Sequence, residues 1–256
     1  MPDVKTSRGT LHYTLSQGPE DAPTLVLVHG AGGTRLHWPA EVRRLAGAST
    51  YTLDLPGHGR SQRGGCATVE GYAEAVLAFL RTMGIQQAVV AGHSMGGAIA
   101  QTLALDFPDC VAGLVLVATG ARLRVAPAIL AGIREAFEES VALITRYAWR
   151  PATKPALVEL GRQALLQAGP DVLLNDFTAC DRFDVMHRLT EIHVPTLVIA
   201  GSDDQLTPTK YARFLGEQIT GARLEIIQGA AHMVMLEHPA EVARAIRDFL
   251  ENSTGA

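Results

Sequence analysis

Gly92-His93-Ser94-Met95-Gly96 is the stretch of this chain best suited to covalent chemistry. A serine at the tip of a sharp strand-to-helix turn can present its hydroxyl as a nucleophile. Glycines flank such a serine because bulk there would strike the neighbouring strand and helix. Ala88-Val89-Val90-Ala91 reads as a short buried strand, and residues 95–107 read as a helix stopped by Pro108. The five residues therefore stand between a strand and a helix, as the pattern requires. A helix N-terminus offers free N–H groups and favours negative charge. The N–H of Met95 is the expected donor to an oxyanion formed when Ser94 attacks a carbonyl.

A serine hydroxyl needs a base to take its proton, and the base needs an acid to orient it. With a serine on this kind of turn the chain order is serine, acid, histidine, each just past a strand. Thr196-Leu197-Val198-Ile199-Ala200 is such a strand, followed by Gly201-Ser202-Asp203-Asp204. Asp204 is the expected acid, with Asp203 as the alternative. Leu224-Glu225-Ile226-Ile227 is the next strand, and Gly229-Ala230-Ala231-His232 after it supplies the expected base, His232. Either residue alone could be a turn former or a structural histidine; their placement after consecutive strands sets them apart. A second oxyanion donor is expected from the glycine-rich loop His29-Gly30-Ala31-Gly32. Ala31 is the expected donor and Gly32 the alternative, with His29 holding the loop. A phosphate-cradling role is weak, because no G-K-[ST] follows.

These residues need a scaffold that gathers strand ends at one rim. Thr24-Leu25-Val26-Leu27-Val28 is a continuous apolar run, as in a strand buried on both faces. Residues 3–18 read as a β-hairpin with Gly9 in its turn, residues 35–46 as a helix, and Tyr51-Thr52-Leu53 as a strand running into Asp54. Val69, Tyr72, Ala73, Val76, Leu77 and Leu80 have helical spacing. Leu114-Val115-Leu116-Val117 is another strand, and a last helix buries Val242, Ile246, Phe249 and Leu250. The alternation predicts an α/β fold with a mostly parallel sheet covered on both faces. Between Ala121 and about Ile192 no strand-like run occurs. The expected division is a core of residues 1–120 and 193–256 and a helical insertion of residues 121–192 that roofs the strand ends, where ligands bind in such sheets.

The 256 residues suit one large α/β domain. With 22 Lys and Arg against 26 Asp and Glu, the net charge is -4 and the basic residues are scattered, which points away from nucleic acid and anionic membranes. Cys66, Cys110 and Cys180 make an odd number with no C-x-x-C pair, so neither a disulfide framework nor a zinc site is expected. The first residues lack an apolar run of the signal-peptide kind, and no stretch reaches the roughly 18 apolar residues of a membrane span. A cytoplasmic protein without metal or organic cofactor is the expectation.

Taken together, His29-Gly30-x-Gly32 with Trp38, Asp54-Leu55-Pro56-Gly57-His58-Gly59-Arg60-Ser61, Gly92-His93-Ser94-Met95-Gly96-Gly97, Val194-Pro195-Thr196-Leu197 with Gly201, Asp204 and Pro208, and His232 with Glu237-His238-Pro239 resemble the α/β-hydrolase superfamily. The resemblance spans most of the chain except the insertion. It is to the branch holding carboxylesterases, lactonases, non-haem haloperoxidases and carbon–carbon bond hydrolases. It implies an α/β-hydrolase fold, a cap at the insertion, and structural roles for Asp54 and the Pro56–Ser61 loop. The expected activity is hydrolysis of a carboxylic ester through Ser94, His232 and Asp204, and the apolar side chains of the insertion point to a small to medium hydrophobic ester. The alternatives are a carbon–carbon bond hydrolase, a lactonase, a cofactor-free perhydrolase or haloperoxidase, and a ligand-binding protein on the same fold. Haloalkane dehalogenases carry aspartate where Ser94 stands, and the carbon–carbon hydrolases usually carry asparagine where this chain has His37. The expected pocket residues are Trp38, Phe137, Tyr147 and Trp149, with Phe177 and Phe183 as further aromatics of the insertion; packing within the insertion is the competing role for Phe137, Tyr147, Trp149, Phe177 and Phe183.

Overall fold

The computed structural model describes residues 2–62 and 64–253. Its strands are β1 (Asp3–Thr6), β2 (Gly9–Ser16), β3 (Thr24–Val28), β4 (Ser49–Leu53), β5 (Ala88–His93), β6 (Val111–Val117), β7 (Thr196–Gly201) and β8 (Arg223–Ile227). They form one sheet in the order β1-β2-β4-β3-β5-β6-β7-β8. β1, β2 and β4 pair antiparallel, and every pair from β4 through β8 is parallel. The chain is thus an α/β-hydrolase fold with a mostly parallel sheet.

Period-two alternation along the apolar strands feeds two cores. Val26, Val28, Val90, Leu114, Leu116 and Val198 face one side, with Tyr72, Val76, Phe79, Ile99 and Leu103. Leu25, Leu27, Val89, Val115, Leu197 and Ile199 face the other, with Val42, Val242, Ile246 and Phe249. The covering helices are α1 (Ala40–Arg43), α2 (Val69–Thr82), α3 (Met95–Asp106), α4 (Pro127–Glu135), α5 (Phe137–Ala148), α6 (Pro155–Arg182), α7 (Thr209–Gln218), α8 (Val234–Glu237) and α9 (Pro239–Ser253). None of the helices among the described residues is long and apolar enough to cross a membrane.

The helix expected over residues 35–46 is instead a 3-10 turn at Arg35–His37, capped by Thr34, and the single turn α1. Pro39 stands between them and has no N–H to carry a helix through. Helices α4 to α6 lie between β6 and β7 in the chain. They share a core of their own, built on Ile133, Val141, Ile144, Leu165 and Leu173. α6 is two helical segments, broken at Gly169 (φ 81°, ψ 165°) ahead of Pro170.

Chain order reverses across the β3–β5 pair: β4 lies on one side of β3, β5 on the other. The crevice at such a reversal is where ligands bind in open α/β sheets. Val28 pairs with Gly92 there, so the loop leaving β3 and the turn leaving β5 are neighbours.

Candidate active site

Ser94 is the first residue after β5 and the cap of α3. Its backbone adopts φ 53° and ψ -116°, a conformation rare for a residue with a side chain. Such a residue costs about 1–3 kcal/mol and persists only where its surroundings over-determine it. Here they do. The Ser94 N–H donates to Val117 O at 2.9 Å, and its carbonyl accepts from Gly97 N–H at 2.9 Å and from the Thr119 hydroxyl at 2.8 Å. The flanking glycines are required by contact: a Cβ on Gly92 would lie 2.0 Å from Gly96 O, and one on Gly96 2.3 Å from Val28 O. Ser94 is half-buried while its neighbours on both sides are buried.

His232 follows β8 and Asp204 follows β7, and both are buried. His232 Nδ1 lies 2.9 Å from Asp204 Oδ2. Asp204 Oδ1 accepts from Leu206 N–H at 2.8 Å and Thr207 N–H at 2.9 Å, and Oδ2 accepts from the Thr207 hydroxyl at 2.7 Å. The same hydroxyl lies 3.2 Å from His232 Nδ1. Burial opposes charge on Asp204, but His232 and the Thr207 donors outweigh it, so the carboxyl is held below its ordinary range. Asp203, the alternative acid, is half exposed and engages Ser202 and Arg150 instead. No hydrogen bond joins Ser94 to His232 among the described residues. In resting enzymes that contact is often long and tightens only in the substrate complex.

His93 fixes the backbone beneath the imidazole. Its Nε2 lies 3.0 Å from His232 O, so Nε2 carries the proton. Burial first, and His232 second, push its pKa well down, so the ring is neutral. His29 is held in the same way: its Nδ1 donates to Gly30 O at 2.8 Å and its Nε2 accepts from Leu55 N–H at 3.0 Å. Asp54 accepts from the Arg35 backbone and guanidinium and from Arg60 N–H, which ties the Pro56–Ser61 loop down.

In the β3 loop the Gly32 N–H is occupied by Asp176 Oδ2 at 2.8 Å. Among the described residues Ala31 N–H and Met95 N–H have no acceptor. Ala31, Ser94 and His232 line one cavity of about 530 Å³. Tyr147, Trp149 and Phe177 also line it, with Leu165, Ile144 and Met233. Trp38 and Phe137 are not on that wall. Trp38 is fully buried in the core behind β3, and Phe137 packs inside the α4–α6 cluster. Phe183 packs in the core on the α2 and α3 side of the sheet. Their aromatic character marked buried surface and carried no information on which surface. All three cysteines are free, and among the described residues no group of three or more His, Cys, Asp or Glu side chains could hold a metal ion.

Sequence reasoning missed Thr207, His93 as a brace for His232, and Asp176. Asp176 did leave a signal: it is a lone carboxylate on a helix face otherwise buried through Leu173, Ala179 and Cys180.

A family model described as the α/β hydrolase family matches residues 25–245. A putative carbamate hydrolase RutD of Pseudomonas syringae pv. syringae is 32% identical over 90% of this chain and 94% of its own length. A pimeloyl-(acyl-carrier protein) methyl ester esterase of Neisseria meningitidis is 31% identical over 91% of this chain and 95% of its own length. A solved thermophilic esterase superposes with a TM-score of 0.86 at 37% identity, covering 98% of this chain and 97% of that one.

Proposed function

The chain belongs to the α/β-hydrolase family and is a hydrolase, and from that premise we propose that it cleaves small to medium hydrophobic carboxylic esters through Ser94, His232 and Asp204. One observation carries this reading: a serine on a strained turn and a histidine hydrogen-bonded to a buried aspartate line the same apolar cavity.

His232 Nε2 takes the Ser94 proton as the hydroxyl oxygen attacks the ester carbonyl. Asp204 holds Nδ1–H and stabilises the imidazolium that forms. The carbonyl oxygen becomes an oxyanion, received by the N–H groups of Ala31 and Met95. Loss of one such donor typically costs about 3 kcal/mol of barrier lowering. The tetrahedral intermediate collapses, His232 protonates the leaving alcohol, and Ser94 keeps the acyl group. Water, deprotonated by His232, then attacks the acyl-enzyme, releasing the acid and restoring the serine. The step needs no metal or organic cofactor.

The segment 121–192 acts as the cap. It closes the cavity from above, and its Tyr147, Trp149, Phe177 and Leu165 set the acyl preference. A cavity of about 530 Å³ fits a chain of medium length, in keeping with the relative whose name specifies a pimeloyl ester.

The test pairs a fluorophosphonate probe with p-nitrophenyl esters from acetate to octanoate. Wild type is expected to be labelled and to hydrolyse them, and Ser94→Ala to do neither. Labelling that persists in Ser94→Ala would sink the nucleophile assignment, and an inert ester panel would sink the substrate class.

A further inference from the structure

Ala31 sits between two peptide units that other residues pin. Its N–H shares a peptide plane with Gly30 C=O, which accepts from His29 Nδ1 at 2.8 Å and from Gly33 N–H at 3.1 Å. The N–H and C=O of a trans peptide point in opposite directions, so fixing the carbonyl sets the direction of the Ala31 N–H. On the other side the Gly32 N–H is fixed by Asp176 at 2.8 Å.

Asp176 comes from the second segment of α6, after the Gly169 break, and is fully buried. Its Oδ2 also meets His58 Nε2 at 2.8 Å, and its Oδ1 accepts from the Tyr72 hydroxyl at 2.5 Å. His58 Nδ1 faces Pro56 O at 2.9 Å. An imidazole with an acceptor at each nitrogen satisfies both only when both carry protons. The carboxylate is thus paired with a cation and saturated by donors from the β3 loop, the loop after β4, and α2. Leu165 and Leu173 of α6 press on the same loop: a Cβ on Gly32 would lie 2.6 and 2.8 Å from their methyl groups.

We propose that Asp176 is a positioning residue that aims the oxyanion donor from the inserted helices. His29 and Gly33 hold the Gly30 carbonyl on one side of Ala31, and the seated second segment of α6 holds the Gly32 N–H on the other, so the Asp176–Gly32 bond completes the clamp on the Ala31 peptide. This rests on reading Ser94 as nucleophile and Ala31 as donor. A purely structural polar knot would affect how much protein folds and leave the chemistry of the folded fraction alone.

The experiment is Asp176→Leu, which keeps the side chain's bulk and removes the acceptor of the Gly32 N–H, with active sites counted by fluorophosphonate titration. Two affinities are compared. One is for a trifluoromethyl ketone, whose serine adduct bears an oxyanion; the other is for intact p-nitrophenyl butyrate bound to the same variant in a Ser94→Ala background. The expected result is a fall of about 10- to 100-fold in kcat per active site, less than the roughly 100- to 1000-fold of deleting an oxyanion donor outright, because the donor is misaimed and not removed. Ketone affinity falls by the same factor and ester affinity is unchanged. A folded variant with wild-type kcat per site and wild-type ketone affinity overturns the proposal, as does an equal loss of both affinities. Continued turnover in the Ser94→Ala background would strike the nucleophile assignment instead. If Asp176→Leu does not fold, Tyr72→Phe leaves the carboxylate one donor short. It is expected to give a smaller loss with the same split, and an unchanged ketone affinity there overturns the proposal.

Discussion

Replacing Asp204 by asparagine removes a charge without changing shape, and the surrounding bonds dictate how the imidazole must respond. Two backbone donors, Leu206 N–H at 2.8 Å and Thr207 N–H at 2.9 Å, converge on Oδ1. They would hold the amide oxygen there and leave the NH2 at the Oδ2 position, 2.9 Å from His232 Nδ1. Nδ1 must then accept, so the proton moves to Nε2, the atom that receives the Ser94 proton in the proposed mechanism. Restoring the reactive tautomer sets two donors face to face, at about 1–3 kcal/mol for the unsatisfied group. The charge-assisted bond to the imidazolium, about 1.5–3 kcal/mol, is lost as well. Together these give about 2.5–6 kcal/mol, or roughly two to four decades of kcat at 1.36 kcal/mol per decade. The assay is steady-state hydrolysis of p-nitrophenyl butyrate by Asp204→Asn, with circular dichroism to verify folding. Asp203→Asn is the control. Its exposed pairings with Ser202 and Arg150 predict a change of less than about threefold. A folded Asp204→Asn enzyme within tenfold of wild type would refute the reasoning, as would a larger loss from Asp203→Asn.

Other perturbations test other parts of the molecule. Burial opposes the charge on His58, but Asp176 and the Pro56 carbonyl outweigh it and raise its pKa above the ordinary value of about 6.5. Asp54 acts in the same direction, and the His29 and Tyr72 rings pack against His58. A raised folded-state pKa gives stability that is complete below the unfolded value and lost as pH rises through the folded one. The Tm difference between wild type and Asp176→Asn should therefore be largest below about pH 6.5 and shrink on the alkaline side; a difference that grows with pH contradicts the pairing. Gly32→Ala forces a side chain into φ 61° and against Leu165 and Leu173. A loss of about 2–4 kcal/mol is expected in urea unfolding, together with a drop in kcat, and a neutral variant would show that the loop is not clamped. Phe177→Ala opens the cavity wall and should shift the best p-nitrophenyl ester toward longer acyl chains, checked by kcat/KM across the panel.

Much of this protein was legible in the sequence because the physics involved is local. Period-two and unbroken apolar runs at residues 24–28, 114–117 and 196–200 specify buried parallel strands, and those strands are present. The glycines around Ser94 announce a close approach of backbone to backbone, and the clashes that a Cβ at Gly92 or Gly96 would make supply the reason. The helical pattern failed at residues 35–46, where Pro39 overrides it, and aromatic type by itself could not place Trp38, Phe137 and Phe183 on the cavity wall or in the core.

Tertiary structure decided which of two adjacent aspartates meets the histidine. Asp203 and Asp204 are indistinguishable in type, and only the course of the loop after β7 turns one inward and leaves the other exposed. It also decided that Asp176, 144 residues from Gly32 along the chain, would close on that loop's N–H. A buried carboxylate must find donors wherever the fold brings them, and no window of neighbouring residues contains His58, Tyr72 and Gly32 together. Short-range pattern thus settled the strands, the turn and the candidate nucleophile. Long-range contact alone settled how the donors and acids around that nucleophile are aimed.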